Sequence, residues 1–165
     1  MKIPNPVKLI LTIGSSLSAG LLGTLFTASA IPTWYAGLEK PFFNPPSWLF
    51  GPVWTTLYIL MGISAYLIWK NGLGLKNVRE ALLVFCIQLG LNALWSPIFF
   101  GLKLPGIAFV EIIALWAMVT AFMILSHRIS KIAGWILAPY AIWVSFALIL
   151  NYAIWYLNEP ARLIG

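Results

Sequence analysis

The side chains able to do chemistry in this chain are few, and most recur at helical spacing. Gln88, Asn92, Trp95 and Phe99 repeat every three or four residues, as do Trp54, Tyr58, Met61 and Ala65, and as do Trp143, Phe146 and Leu150, the last followed directly by Asn151. On a helix each set shares one face. Such faces pair broad apolar surface with a few amide or phenol groups, which is how a pocket encloses a ligand and orients it. The same spacing also serves ordinary helix packing, with the amides as hydrogen-bond glue between helices, and spacing alone leaves both readings open. Glu111 sits inside an apolar run, where a carboxylate must be protonated, paired or open to a wet cavity. A hydrogen bond to another helix is the expected answer there. A proton relay or a ligand-orienting role is the alternative.

Conventional catalysis finds little to build on. The chain has one histidine, His127, at a run's end, and no aspartate; it has no metal-binding cluster and no glycine loop for phosphate. Cys86 is solitary and lies in an apolar run, so it is expected to pack and cannot form an internal disulfide.

These faces need helices, and composition says in what solvent. Of the 165 residues, 61% are hydrophobic and 8% charged, against about 45–50% and about 25% in soluble domains. The mean hydropathy is +0.93. The ten Lys and Arg are scattered singly, so the net charge of +6 offers no basic stripe for nucleic acid. A bilayer core takes about 20 apolar residues per helix. Five stretches meet that, at about 7–31, 47–69, 78–101, 104–126 and 132–157. The expected fold is therefore an all-α membrane protein, a bundle of five transmembrane helices with short loops, in a single domain spanning residues 1–165. Ser47 is the expected N-cap of the second helix.

The N-terminus imitates a secretory signal, with Lys2 and Lys8 before an apolar stretch ending in Ala28-Ser29-Ala30. That stretch exceeds the roughly 7–15 residues of a signal core, so it reads as an uncleaved first span. Seven basic residues (Lys2, Lys8, Lys70, Lys76, Arg79, Arg128, Lys131) fall on the N-terminal side of the bundle and three (Lys40, Lys103, Arg162) on the other. In a bacterial-type plasma membrane this places the N-terminus in the cytoplasm and the C-terminus outside.

Two stripes of small residues run along the first span, Ser15, Ala19, Gly23, Thr27 and Ser16, Gly20, Thr24, Ala28. They suit close helix approach, inside the bundle or in a homodimer. Of the nine tryptophans, Trp34, Trp48, Trp69 and Trp155 lie near span ends, as an interfacial belt requires. Trp95 and Trp143 fit a belt less well, and Trp54 is intermediate.

The connection between the first two spans is the most distinctive stretch. It carries Trp34-Tyr35, Leu38, Lys40-Pro41, Phe43, Pro45-Pro46, Trp48, Phe50, Pro52 and Trp54, then Leu57-Tyr58 and Met61-Gly62. Pro41, Pro45 and Pro46 forbid a helix and fix a stiff path, either a cap on the bundle mouth or a rigid connector. With Gln88-Leu89-x-Leu91-Asn92-x-x-Trp95-Ser96-Pro97-x-Phe99-Phe100 and Pro139-Tyr140-x-x-Trp143-x-x-Phe146-Ala147-x-x-Leu150-Asn151, it closely resembles the TspO/MBR family of tryptophan-rich sensory and translocator proteins.

The resemblance implies a five-helix bundle with a pocket near the first loop that binds porphyrins, protoporphyrin IX above all, as ligand and not as obligatory cofactor. It maps Trp54 and Trp143 onto tryptophans implicated in porphyrin chemistry, and Asn92 and Trp95 onto the pocket wall. Trp34, Tyr35, Pro45, Tyr58, Gln88, Phe146 and Leu150 complete the expected ligand-binding set. Transport, sensing or homeostasis of tetrapyrroles is the expected role. Light-dependent porphyrin breakdown through Trp54 and Trp143 is one alternative, and a structural membrane protein with a vestigial pocket is another. Leu150, Tyr156 and Arg162 meet a sterol motif only at its widest spacing, and sterol binding is not expected.

Overall fold

A backbone in hydrocarbon must satisfy its own polar groups, which makes helices the outcome for long apolar runs. In the computed structural model, which describes residues 3–159, they are α1 (Asn5–Ala30), α2 (Ser47–Trp69), α3 (Lys76–Ser96), α4 (Pro105–Ile129), α5 (Lys131–Ile136) and α6 (Ala138–Leu157). They form five segments long and apolar enough to cross a membrane, the last combining α5 and α6. The protein is thus an integral, multi-pass, all-α bundle in a lipid bilayer. These segments run over Asn5–Ala30, Ser47–Trp69, Lys76–Gly101, Pro105–Ile129 and Lys131–Leu157, the third including the turn that follows α3. Lys2 and Arg162 lie outside the described residues.

Two prolines shape these spans in ways the hydropathy profile does not report. Pro139 has no N–H to continue the ladder, and the fifth span breaks at Leu137 into α5 and α6. Pro97 ends α3, and the chain widens into a π turn at Pro97–Gly101, closed by Leu102 N–H donating to the Pro97 carbonyl at 2.8 Å. This turn leaves Phe99 and Phe100 buried. Ser47 is not the N-cap expected of it. Pro46 holds that position in extended conformation, and no side chain caps the helix.

Contacts between elements run α1 to α2, α2 to α5, α4 to the fifth span, α3 to α4 and α3 back to α1. They close a ring. Below its middle the bundle is solid: Met61, Ala65 and Ile68 of α2 are buried with Val78, Ala81 and Phe85 of α3, Leu115, Val119 and Phe122 of α4, and Val144 of α6. A second layer, Tyr35, Phe99, Phe100, Leu150 and Ile154, lies under the first loop. The space between these layers is the site described below.

α1 reaches its neighbours through small residues, though neither sequence stripe is buried as a unit. Thr12, Ser16, Ala19, Gly23 and Ala30 are the buried positions. At the closest approach a Cβ on Gly62 would stand 2.5 Å from the Ile13 Cα, so only glycine admits α1 there. Cys86, expected to pack, is instead exposed on the outer face of α3, among lipid-facing neighbours such as Leu83 and Ile87. Of the expected belt tryptophans, Trp48 faces outward, whereas Trp34 packs its ring edge-on against Phe99 and Trp155 stacks on Phe109.

Candidate functional site

A cavity of about 660 Å³ lies between the two packed layers. Its walls come from α1, α2, α3, α4, α6 and the π turn, and its roof includes Tyr35 of the first loop. Among the described residues, none of its lining side chains is charged. The cavity therefore suits a large apolar guest and offers no ion pair to a charged one.

The wall is rigid because its aromatics are held by rings and hydrogen bonds. Trp54 stacks on Tyr58 with centroids 5.6 Å apart and meets Tyr140 edge-on. Trp143 lies between Phe50 at 6.1 Å and Phe146 at 5.3 Å. Trp95 stacks on Phe99 at 4.8 Å, and its indole N–H donates to Asn151 Oδ1 at 3.0 Å. Asn151 in turn donates to the Pro105 carbonyl at 2.8 Å, which ties α6 to the start of α4.

At the cavity floor a polar relay crosses three helices. The Tyr58 hydroxyl donates to Asn92 Oδ1, and Asn92 Nδ2 donates to the Tyr140 hydroxyl at 3.0 Å. Tyr140 donates to Gln88 Oε1 at 2.8 Å, and Gln88 Nε2 makes a 3.7 Å contact with the Met61 sulfur. Each link supplies what the next lacks, so buried polar groups in hydrocarbon are satisfied along one chain. The amides join helices, and Asn92 and Asn151 also line the cavity.

The first loop caps the mouth. Tyr35 donates to Asn44 Oδ1 at 2.7 Å, and its ring tilts against Phe100 at 5.7 Å. Lys40 Nζ donates to the Leu38 carbonyl at 2.8 Å and stands 5.0 Å from the Tyr35 ring centre. Burial pushes the Tyr35 phenol up to about 12, against the opposing effect of the Asn44 hydrogen bond. Glu39 N–H donates to Asn158 Oδ1 and Asn158 Nδ2 donates back to the Glu39 carbonyl, each at 2.9 Å, fastening the loop to the end of α6.

Of the residues the sequence singled out, Tyr35, Trp54, Tyr58, Asn92, Trp95, Trp143 and Leu150 line one cavity. Four do not. Trp34 braces the loop on Phe99 and Phe100. Pro45 accepts a hydrogen bond from Asn44 Nδ2 and shapes that loop. Gln88 lies two relay steps beneath Asn92, through Tyr140, and Phe146 supports Trp143 while meeting Phe43.

Sequence reasoning missed the α1 wall: Gly20, Gly23, Thr24, Thr27 and Ala28 all border the space. Their signal was the small-residue stripe, read only as a packing seam. Ser96, Ile112 and Leu115 were missed too. Glu111 adjoins Ile112, and both of its carboxyl oxygens are buried with no hydrogen-bond partner among the described residues. The expected interhelical bond is absent there.

A family model described as the TspO/MBR family matches residues 12–157. A tryptophan-rich protein TspO of Archaeoglobus fulgidus is 48% identical over 154 residues, covering 93% of this chain and 99% of that one. The translocator protein of Homo sapiens is 38% identical over 152 residues, covering 92% and 89%. A tryptophan-rich sensory protein of Cereibacter sphaeroides is 37% identical over 125 residues, covering 76% and 77%. With the match spanning all five membrane segments and the roofed cavity between them, the chain belongs to the TspO/MBR family.

Proposed function

We propose that this membrane protein binds flat hydrophobic tetrapyrroles, porphyrins of the protoporphyrin IX type, and serves their transport, sensing or homeostasis. The observation that carries the reading is the placement of Trp54, Trp143 and Trp95 on the wall of one uncharged cavity of about 660 Å³. Binding sites for organic molecules commonly measure about 300–1,000 Å³ and combine apolar walls with a few polar atoms. Here Tyr58 and Asn92 are those atoms. Indole rings stack on a macrocycle face, and the fixed relay behind them keeps the wall from collapsing in its absence.

The basic residues Lys8, Lys70, Lys76, Arg79, Arg128 and Lys131 all belong to the end of the bundle away from the first loop. That asymmetry supports a cytoplasmic N-terminus and an exported loop and C-terminus.

The test is titration of the detergent-solubilised protein with protoporphyrin IX, following the Soret band and tryptophan fluorescence. Saturable binding with a Soret shift is expected. The Trp54→Phe, Trp143→Phe double variant should bind more weakly. Identical titrations of wild type and variant would remove the cavity from the reading.

A further inference from the structure

The cavity wall is uneven in exposure. Every lining residue that is exposed belongs to α1 or to the start of α2: Leu21, Thr24 and Ala28 on one side, Ser47, Trp48, Gly51 and Thr55 on the other. Lining residues from α3, α4, α6 and the π turn are buried or half-buried. Leu21 is 68% exposed and Trp48 72%, so these are edges of an aperture. It begins where α1 and α2 part, just beyond the crossing at which Gly20 meets the Tyr58 ring.

Depth decides what the aperture faces. Leu21 lies nine residues before Ala30, about 14 Å along a helix rising about 1.5 Å per residue. Half of a hydrocarbon core of about 30 Å is about 15 Å. The aperture thus spans the depth of the loop-side leaflet. Its edges are also unusually apolar for their residue types. Thr24 and Thr55 donate their hydroxyls to the carbonyls of Gly20 and Gly51, so each hydroxyl proton is spent within its own helix. A shallow groove on the outer face of α1 shares Leu21, Thr24 and Ala28 with the cavity and carries the apolar surface outward into lipid. The water-facing side is shut by the Tyr35 to Asn44 bond and the Glu39 to Asn158 pair.

We propose that the cavity is loaded sideways, between α1 and α2, from the loop-side leaflet, while the first loop stays latched. The inference rests on the reading of this cavity as a ligand site. It adds that the ligand arrives dissolved in the membrane, so partition into lipid governs occupancy. Any guest must also pass between Thr24 and Ala28 on one edge and Gly51 on the other, where the side chains are small or absent. The space beside Gly51 is open, since a Cβ there would meet nothing within 4 Å.

The test needs no porphyrin. Ala147→Cys in a Cys86→Ser background places one thiol on the cavity wall, and proteoliposomes receive either a lipid-soluble alkyl methanethiosulfonate or a charged, membrane-impermeant one. The alkyl reagent should modify the thiol faster. Thr24→Trp and Ala28→Trp should each slow it about tenfold, equivalent to about 1.4 kcal/mol in the barrier. Ile10→Trp, exposed on α1 beyond the aperture, and Asn158→Ala, which frees the loop, should leave its rate unchanged. Modification at least as fast by the charged reagent, or wild-type rates in both aperture variants, would overturn lateral loading. Failure of the porphyrin titration alone would leave these rates as they are and would fall on the ligand assignment instead.

Discussion

Asn158 and Glu39 stand 119 positions apart in the chain, yet the side-chain amide of one and the backbone of the other exchange two hydrogen bonds of 2.9 Å. The amide mimics a neighbouring strand, so the loop gains a backbone-like partner without a sheet. A third bond, from Asn158 Nδ2 to the Ile154 carbonyl at 2.8 Å, anchors the amide to its own helix. Asn158→Ala removes all three. Each net contribution is about 0.5–1.5 kcal/mol, and the two exposed bonds to Glu39 belong at the low end. We expect the Glu39 amide to exchange its hydrogen about tenfold faster in the variant, with the bundle's melting temperature little changed. Unaltered exchange would mean that the aromatic contacts of Trp34 and Tyr35 alone hold the loop.

The relay at the cavity floor makes an opposite prediction, a loss felt by the whole bundle. Tyr58→Phe leaves Asn92 Oδ1 buried without its donor, at a cost of about 1–3 kcal/mol. Gln88→Leu strips Tyr140 of its acceptor at the next link and costs a similar amount. Because both variants break one chain, the double variant should lose less than the sum of the two. Thermal unfolding in detergent measures it. Strict additivity would show that the links act separately.

Much of this was legible in the sequence, for a physical reason. Lipid forces helices of a given length, so five spans follow from runs of apolar residues, and amides in such runs must find partners, which marks Asn92 and Asn151. What escaped is equally specific. A stripe such as Gly20, Thr24 and Ala28 looks the same whether a helix covers it or a void borders it. Gln88 shares a helical face with Asn92, yet one turn moves it from the cavity wall to the layer beneath. The cap on α2 fell to Pro46 because a fixed extended φ ends the loop there without any side-chain bond. The clasp between Asn158 and Glu39 joins the first loop to the end of the last helix, 119 positions on, and no local pattern encodes it.

Glu111 is a buried polar group whose removal should stabilise the bundle. A carboxyl group buried without a partner carries a desolvation cost of about 1–3 kcal/mol on protein mutational scales. Glu111→Leu should therefore raise the melting temperature, because both carboxyl oxygens are buried with no hydrogen-bond partner among the described residues. Glu111→Gln, which keeps the polarity, should change it little. A lower melting temperature for the leucine variant would reveal a partner that the carboxyl engages in the membrane.

Tyr35 links the roof of the cavity to pH. Its phenol ionises only near 12 in the folded protein because burial disfavours the phenolate, whereas an unfolded tyrosine ionises near 10. The sign follows: below about pH 10 both states hold the proton, and the stabilisation from the raised value is complete. Between about 10 and 12 the unfolded chain, or an opened loop, releases the proton first, so closure weakens as pH rises. Loop opening, read by hydrogen exchange or by protease cleavage within residues 31–46, should therefore increase across that interval. Tyr35→Phe should open more readily at neutral pH, having lost the bond to Asn44, and should show a weaker rise above pH 10. A tyrosine difference titration between the two proteins isolates the group directly, and a difference centred near 10 would place the phenol in water and detach it from the roof.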